Sequence, residues 1–196
     1  MQYICSMAEK MSVRERILDT ASRLFYDQGY RATGINQIIE EASIAKSSLY
    51  QHFRTKDDLL VAYLKIAVKE WFEGLHENIG QNVNPAEQIL GLFDYRAKTA
   101  LFKKFKGCTF VRLAYELPNV EGEPAELVRK YKQAVRTYIK NAVYQLKGIG
   151  NADSKEQLTN IIYYLFEGAG VESSIYKSVR PITDAKQIVS VLINKN

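Results

Sequence analysis

Residues Ile35–Phe53 read INQIIEEASIAKSSLYQHF, and this stretch decides the fold. Ile35, Ile38, Ile39 and Ala42 recur at helical spacing, as do Leu49 and Phe53, so two short amphipathic helices are expected, joined by a turn at Ser43 and Ile44. The second helix carries Lys46, Ser47, Ser48, Tyr50, Gln51 and His52 on the side away from Leu49 and Phe53. Two short helices, a tight turn and a polar outer face make the layout of a helix-turn-helix, whose second helix offers hydrogen-bonding groups to a DNA groove.

Working outward, Ser12 and Glu15 have the spacing of a capping box and open a helix that places Ile17, Leu18, Ala21, Leu24 and Phe25 on one face. Gly29 stops it, because glycine tolerates a positive φ at a helix end. Thr33 or Gly34 then begins the second helix, and three helices share one small core. Downstream, Thr55 and Asp58 cap a long fourth helix in which Leu59, Leu60, Tyr63, Ile66, Ala67, Glu70 and Trp71 keep the helical period to about Ile79. That helix is too long for the first core alone, so its far end is expected to join a second helical body and to link the two.

In the second body, Asn84, Pro85 and Glu87 supply a cap, a helix-initiating proline and a box partner for a fifth helix toward Phe102. A basic break, KKFKG, precedes a short segment from Cys108 to Leu117 that Pro118 ends; NVEGE is a polar loop. Pro124 starts a long helix to about Lys147, closed by GIGN. Ser154 and Gln157 are expected to box the next helix, with Leu158, Ile161, Ile162, Leu165, Phe166 and Ala169 inside it. Thr183 is expected to cap the last, with Ile188, Val189, Leu192 and Ile193. No strand alternation, internal repeat or low-complexity tract competes with this pattern. The expectation is an all-α chain of about nine helices, with a DNA-binding domain over residues 1–55 and a helical domain over residues 56–196.

The bulk numbers bound this without naming a partner. The 196 residues are 46% hydrophobic and 25% charged, ordinary for a soluble globular protein. Net charge is +5, yet the first 56 residues carry eight Lys or Arg against six Asp or Glu, so no basic tail carries the DNA argument. Cys5 and Cys108 lie far apart and form neither a disulfide framework nor a metal-ligand spacing, which fits a reducing cytoplasm. MQYICSMAEK does not read as a signal peptide; residues before Met11 look like a frayed lead, and Met7 or Met11 would serve as a start as well as Met1. Even the most apolar run, IIYYLFEGAGV, is broken by Glu167, so no membrane span is expected.

With these residues in hand, Gly29–Leu59, GYRATGINQIIEEASIAKSSLYQHFRTKDDL, closely resembles the DNA-binding domain of the TetR family of bacterial transcriptional regulators. The match rests on the GYxxT start (Gly29, Tyr30, Thr33), the Ile38-to-Ala42 spacing, Lys46, the LYxHF core (Leu49, Tyr50, His52, Phe53) and the KxxL opening of the fourth helix (Lys56, Leu59). Gly107–Pro118, GCTFVRLAYELP, also looks like a segment of some members. The sequence departs from the pattern at Ser43, where glycine is usual, and at Ala45, where serine is usual; the recognition helix loses an N-cap hydroxyl.

The resemblance implies a homodimer whose divergent C-terminal domain binds a small effector and alters affinity for a pseudo-palindromic double-stranded operator, acting as a repressor. Lys46, Ser47, Ser48 and Gln51 would meet bases or phosphates, and by resemblance Tyr50, His52 and Lys56 would clamp the backbone, with Thr33 beside them. The bland alternative is a solvated helix face, and for Tyr50 packing against the first helix. Ile161, Leu165, Phe166, Ala169, Ile188 and Leu192 are candidates for the dimer seam, with Gly168, Ala169 and Gly170 allowing close approach; an internal helix pair uses the same pattern. Trp71, Phe72, Phe93, Cys108, Phe110, Arg112, Tyr115, Tyr138, Tyr163 and Phe166 are candidates to line a pocket for an apolar or aromatic effector, most of them also reading as plain core.

Cys108 is either a redox sensor, giving thiol control in place of an effector, or a small buried hydrophobe; control by a protein partner is the other variant. His52 has no second His or Cys at ligand spacing, so no metal is expected, and no cofactor is called for. A small helical enzyme is the remote rival. The last two thirds of the chain hold one histidine, His76, and no nucleophile, base and orienting group assemble around it.

Overall fold

The computed structural model describes residues 11–80, 83–117 and 121–194. Among them, nine α-helices and no strands are found. The alternative starts at Met1 and Met7, Cys5 and the helix-ending Pro118 lie outside the described residues. The chain divides into two compact units, Met1–Leu64 and Lys65–Asn196, so the division falls inside the fourth helix, α4 (Lys56–Ile79).

In the first unit, Ser12 caps α1 (Val13–Gln28): its Oγ accepts from the Glu15 amide at 3.2 Å, and its own amide donates to the Glu15 carboxylate at 2.8 Å. Gly29, at φ 95°, ends the helix. Then come α2 (Ile35–Glu41) and α3 (Lys46–His52). Ile17, Ala21, Ile38, Leu49 and Leu59 are fully buried together with Leu24, Phe25, Phe53, Leu60 and Leu64, so α1 to α3 and the start of α4 share the expected core. Thr55 and Asp58 form the expected reciprocal cap of α4, with amide-to-side-chain distances of 3.1 Å both ways.

The two departures in sequence have structural counterparts. Ser43 occupies the left-handed region at φ 52°, where glycine carries no Cβ penalty. Ala45 stands at the N-cap of α3 in extended conformation, φ −75° and ψ 148°, with no side chain accepting from the first turn.

The second unit adds α5 (Pro85–Phe102), α6 (Thr109–Glu116), α7 (Glu123–Gln145), α8 (Ala152–Tyr176) and α9 (Arg180–Asn194) to the rest of α4. Asn84 and Glu87 box α5 as expected. Two starts differ. Asn151, rather than Ser154, caps α8, its Oδ1 accepting from the Ser154 amide at 3.0 Å, because Asn is as good a cap and stands one turn earlier. Likewise α9 begins at Arg180, leaving Thr183 inside the helix with its hydroxyl donating back to the Arg180 carbonyl at 2.8 Å. In this unit α7 packs on α8, α5 on α9 and α8 on α9; Leu75, Ile89, Leu92, Phe93, Val135, Ile139, Ile162, Phe166 and Val189 fill the space between them.

Candidate DNA interface and effector site

On α3, Lys46, Ser47, Tyr50, Gln51 and His52 are exposed and Ser48 is half-buried, while Leu49 and Phe53 are sealed at 0% and 4%. Tyr50 is 45% exposed, so it does not pack into the first helix. One face of the helix is thus committed to the core and the other to solvent.

Thr33 and Lys56 do a different job. Thr33 is 1% exposed, and its hydroxyl donates to the Gly29 carbonyl at 2.7 Å, so its side chain is turned away from any groove. The Lys56 ammonium donates to the Tyr30 carbonyl at 2.6 Å and lies 4.1 Å above the Tyr30 ring. The Tyr30 hydroxyl in turn donates to Asp57, and burial together with that bond raises its pKa. The GYxxT and KxxL signals therefore describe a clasp between the α1–α2 loop and the start of α4, and the clasp holds α3 at its place in the unit.

In the second unit a cleft lies among α4, α5, α6, α7 and α8, lined by Trp71, Arg96, Lys103, Cys108, Phe110 and Tyr131 among others. Phe110 stacks on Tyr131 with ring centroids 3.8 Å apart and 14° between planes, and Trp71 meets Tyr131 edge-on at 5.5 Å. Three residues expected here from sequence, Trp71, Cys108 and Phe110, do line it. The other seven do not. Phe93 and Phe166 are core residues, 0% and 1% exposed, packed edge-to-face at 5.5 Å. Phe72 packs on Trp71 outside the lining at 4.8 Å. Tyr115 is 83% exposed, Tyr138 faces His76, Tyr163 neighbours Arg136 and Tyr164, and Arg112 is half-buried on α6 away from the cleft.

Tyr131 takes the place expected of Tyr138. The two stand seven residues apart on α7, the same helical face two turns on, and periodicity does not separate them. Arg96 was also not foreseen, although a signal existed: it continues the buried spacing of Ile89, Leu92 and Phe93 on α5. A charged residue at a core position of an amphipathic helix calls for an explanation.

Arg96 is 8% exposed. Burial opposes its charge, but Cys108, Tyr131 and Glu167 outweigh that and raise its pKa. Glu167 takes the Lys132 ammonium at 2.5 Å and leaves the Arg96 guanidinium at 3.9 Å. Lys103, beside the cleft, has its pKa lowered by burial, and Tyr131 has its own raised well up for the same reason. The Lys132 ammonium also approaches the Cys108 sulfur at 3.9 Å.

Along the seam expected on α8 and α9, Ile161 and Ile188 are 45% and 50% exposed, and Leu165 and Leu192 are half-buried. Phe166 and Ala169 belong instead to the interior of their own unit, at 1% and 8%. Tyr164, Val171, Ile175 and Val191 extend the exposed apolar face. Gly170 serves Arg96 rather than that face: a Cβ there would come within 2.9 Å of the guanidinium.

Residues 17–63 match the family model described as bacterial regulatory proteins, tetR family. Over 195 residues, 96% of this chain and 99% of the other, the chain is 30% identical to the uncharacterized HTH-type transcriptional regulator YxaF of Bacillus subtilis. The chain belongs to the TetR family. A second relative, the HTH-type transcriptional regulator LmrA of Bacillus subtilis, is 28% identical over 93% of this chain and 97% of its own. Among solved structures, a TetR regulator from Chloroflexus aurantiacus superposes with a TM-score of 0.80 at 23% identity, covering 94% of this chain and 95% of that one. Reduced NemR of Escherichia coli does so with a TM-score of 0.78 at 22% identity, covering 94% and 100%. These likenesses carry the fold: an N-terminal helix-turn-helix followed by a helical bundle. The TetR-family chain is a DNA-binding transcriptional regulator, and its relatives carry the names of transcriptional regulators. Among the described residues no helix is long and apolar enough to cross a membrane, and no three His, Cys, Asp or Glu side chains cluster as a metal site.

Proposed function

We propose that this regulator is a homodimeric cytoplasmic repressor, held on a pseudo-palindromic operator by two copies of α3 and released when a small effector enters the cleft of the second unit. The observation that carries this is the path of α4: one helix gives Leu59, Leu60 and Tyr63 to the first core and Ala67 and Trp71 to the cleft lining. Lys46, Ser47, Ser48 and Gln51 read bases or hold phosphates, and Tyr50 and His52 grip the backbone. Residues 1–55 bind DNA; residues 56–196 bind effector and partner. The exposed apolar face with Ile161, Leu165, Ile188 and Leu192 forms the seam, which sets the two recognition helices one DNA turn, roughly 34 to 36 Å, apart.

An effector that pivots α4 needs a coupling of only about 1 to 3 kcal/mol, and the coupling is reciprocal. Fluorescence anisotropy of a labelled operator fragment tests it: a ligand of the cleft should weaken operator binding, and operator should weaken the ligand by the same factor. Independent affinities would sink the mechanism. A second reading has support from the Lys132 ammonium 3.9 Å from Cys108: modification of the thiol supplies the trigger in place of a ligand. C108S separates the two, since it abolishes release by a thiol reagent, whereas release by a cleft ligand persists even if the affinity changes.

A further inference from the structure

The cleft contains a buried cation that its own neighbours answer only in part. Arg96 is 92% withdrawn from solvent, and its Nε is sealed and makes no hydrogen bond. Leaving a buried charged donor unpaired is costly, and native structures rarely tolerate it without a purpose. Glu167 does not satisfy it. That carboxylate is drawn to Lys132 at 2.5 Å and keeps the guanidinium at 3.9 Å, beyond hydrogen-bond range. One carboxylate thus faces two cations, its Oε1 makes no hydrogen bond to either, and no Asp or Glu lines the cleft. Tyr131 does not answer the excess either, because burial keeps its phenol protonated.

The seat of Arg96 is built for it. The guanidinium lies flat against Gly170 of α8, where any Cβ would meet three of its atoms at 2.9 to 3.1 Å. The guanidinium also lies 4.3 Å over the Phe166 ring, and Trp71, Phe110 and Tyr131 line the same cleft. The void itself is about 60 Å³, far below the roughly 300 to 1,000 Å³ of pockets for drug-sized ligands.

We propose that the effector of this cleft is a small aromatic monoanion, a carboxylate of benzoate size, whose charged end pairs with Arg96 and whose ring lies among Trp71, Phe110 and Tyr131. The inference rests on the reading that the cleft is the effector site. Arg suits the task because its planar fork matches a carboxylate, and a charge-assisted pair in a dry site outweighs a neutral one. Lys103 adds long-range attraction at the lining.

Trp71 is the chain's single tryptophan and lines the cleft, so intrinsic fluorescence reports occupancy directly. The full chain is titrated with benzoate and 1-naphthoate and with their uncharged amides, alone and with labelled operator present. The acids should perturb Trp71 and bind about tenfold or more tightly than the amides. R96Q should erase the difference between acid and amide, and K103Q should narrow it; K103Q keeps the test alive should R96Q fail to fold by circular dichroism. Equal affinities of acids and amides, no Trp71 response to either acid, or an R96Q protein that folds and keeps the preference would each overturn the proposal. Acid binding that leaves operator affinity unchanged would overturn effector release and leave the anion site standing. Release by the amides as readily as by the acids would do the reverse.

Discussion

Replacing Ala45 by serine would give α3 the cap it lacks. The backbone at Ala45 already has N-cap geometry, φ −75° and ψ 148°, so a serine enters without rearrangement. Its Oγ would accept from a first-turn amide, as Ser12, Thr55 and Asn84 do at 3.2, 3.1 and 2.9 Å in this same chain. The first turn of α3 carries no acidic residue and begins with Lys46, whose charge is unfavourable at the positive end of the helix dipole; the Ser48 amide is met only by the Ala45 carbonyl at 3.0 Å, so a side-chain acceptor is still missing. Gaining such a cap is worth about 1 kcal/mol, within a range of about 0.5 to 2, which is about a fivefold shift toward the formed helix.

The effect is local, so amide hydrogen exchange is the assay. Leu49 and Phe53, whose amides donate to the Ala45 and Leu49 carbonyls at 3.3 and 2.8 Å, should exchange about fivefold more slowly in A45S, with α5 to α9 unchanged. S43G is the control. Relief of the left-handed strain at φ 52° is worth about 1 kcal/mol or more, and the added freedom of glycine in the unfolded chain takes back about 0.4 to 1, so it should be close to neutral. Exchange in α3 that A45S does not slow would mean the helix start is satisfied in some other way, and the argument from the missing cap would be refuted.

K46A should weaken operator binding across sequences and lower the slope of log affinity against log salt by about one, measured by anisotropy over a salt series, if Lys46 holds a phosphate rather than reads a base. I188E, at a half-exposed position of the α9 face, should yield a folded monomer by analytical ultracentrifugation, since it places a charge in the proposed seam at little cost to its own unit. G170A should lower the thermal midpoint although alanine is the better helix former by about 1 kcal/mol, because its Cβ would press on the Arg96 guanidinium at 2.9 Å. A G170A protein more stable than the parent would show that Arg96 is free to move aside.

Where a single helix and its own cap decide the outcome, the sequence was readable. Ser12 with Glu15, Thr55 with Asp58 and Asn84 with Glu87 all cap as their spacing predicts, and the α1–α3 core follows from periodicity. The α8 start was missed because Asn151 and Ser154 are both competent caps one turn apart, and spacing does not rank them. The lining of the cleft was legible only at Trp71, Cys108 and Phe110, for a deeper reason. Helical period says that Tyr131 and Tyr138 share a face, and that Phe93, Phe166 and Trp71 are inward, but which inward residues border a void depends on how α4 to α8 cross. That information is held in packing between elements remote in sequence, not in any one stretch.

The residues that make the family legible are largely not those that would choose an operator or an effector. Thr33, Tyr30 and Lys56 are spent on a clasp of the first unit, through the Gly29 carbonyl, the Asp57 carboxylate and the Tyr30 carbonyl, and Leu49 and Phe53 on its core. Any chain that must present α3 rigidly needs these groups, whichever bases it reads. In the proposed function, selectivity falls to side chains outside that clasp: Lys46, Ser47, Tyr50, Gln51 and His52 on the outer face, and in the second unit Arg96, which the fold buries, seats against Gly170 and leaves without a full partner. A framework position is recognised by what it satisfies, whereas a specificity position is recognised by what it leaves unsatisfied. By that criterion Arg96 is the proposed specificity determinant of the second unit, and a folded R96Q protein should keep operator affinity while losing its preference for an anionic ligand.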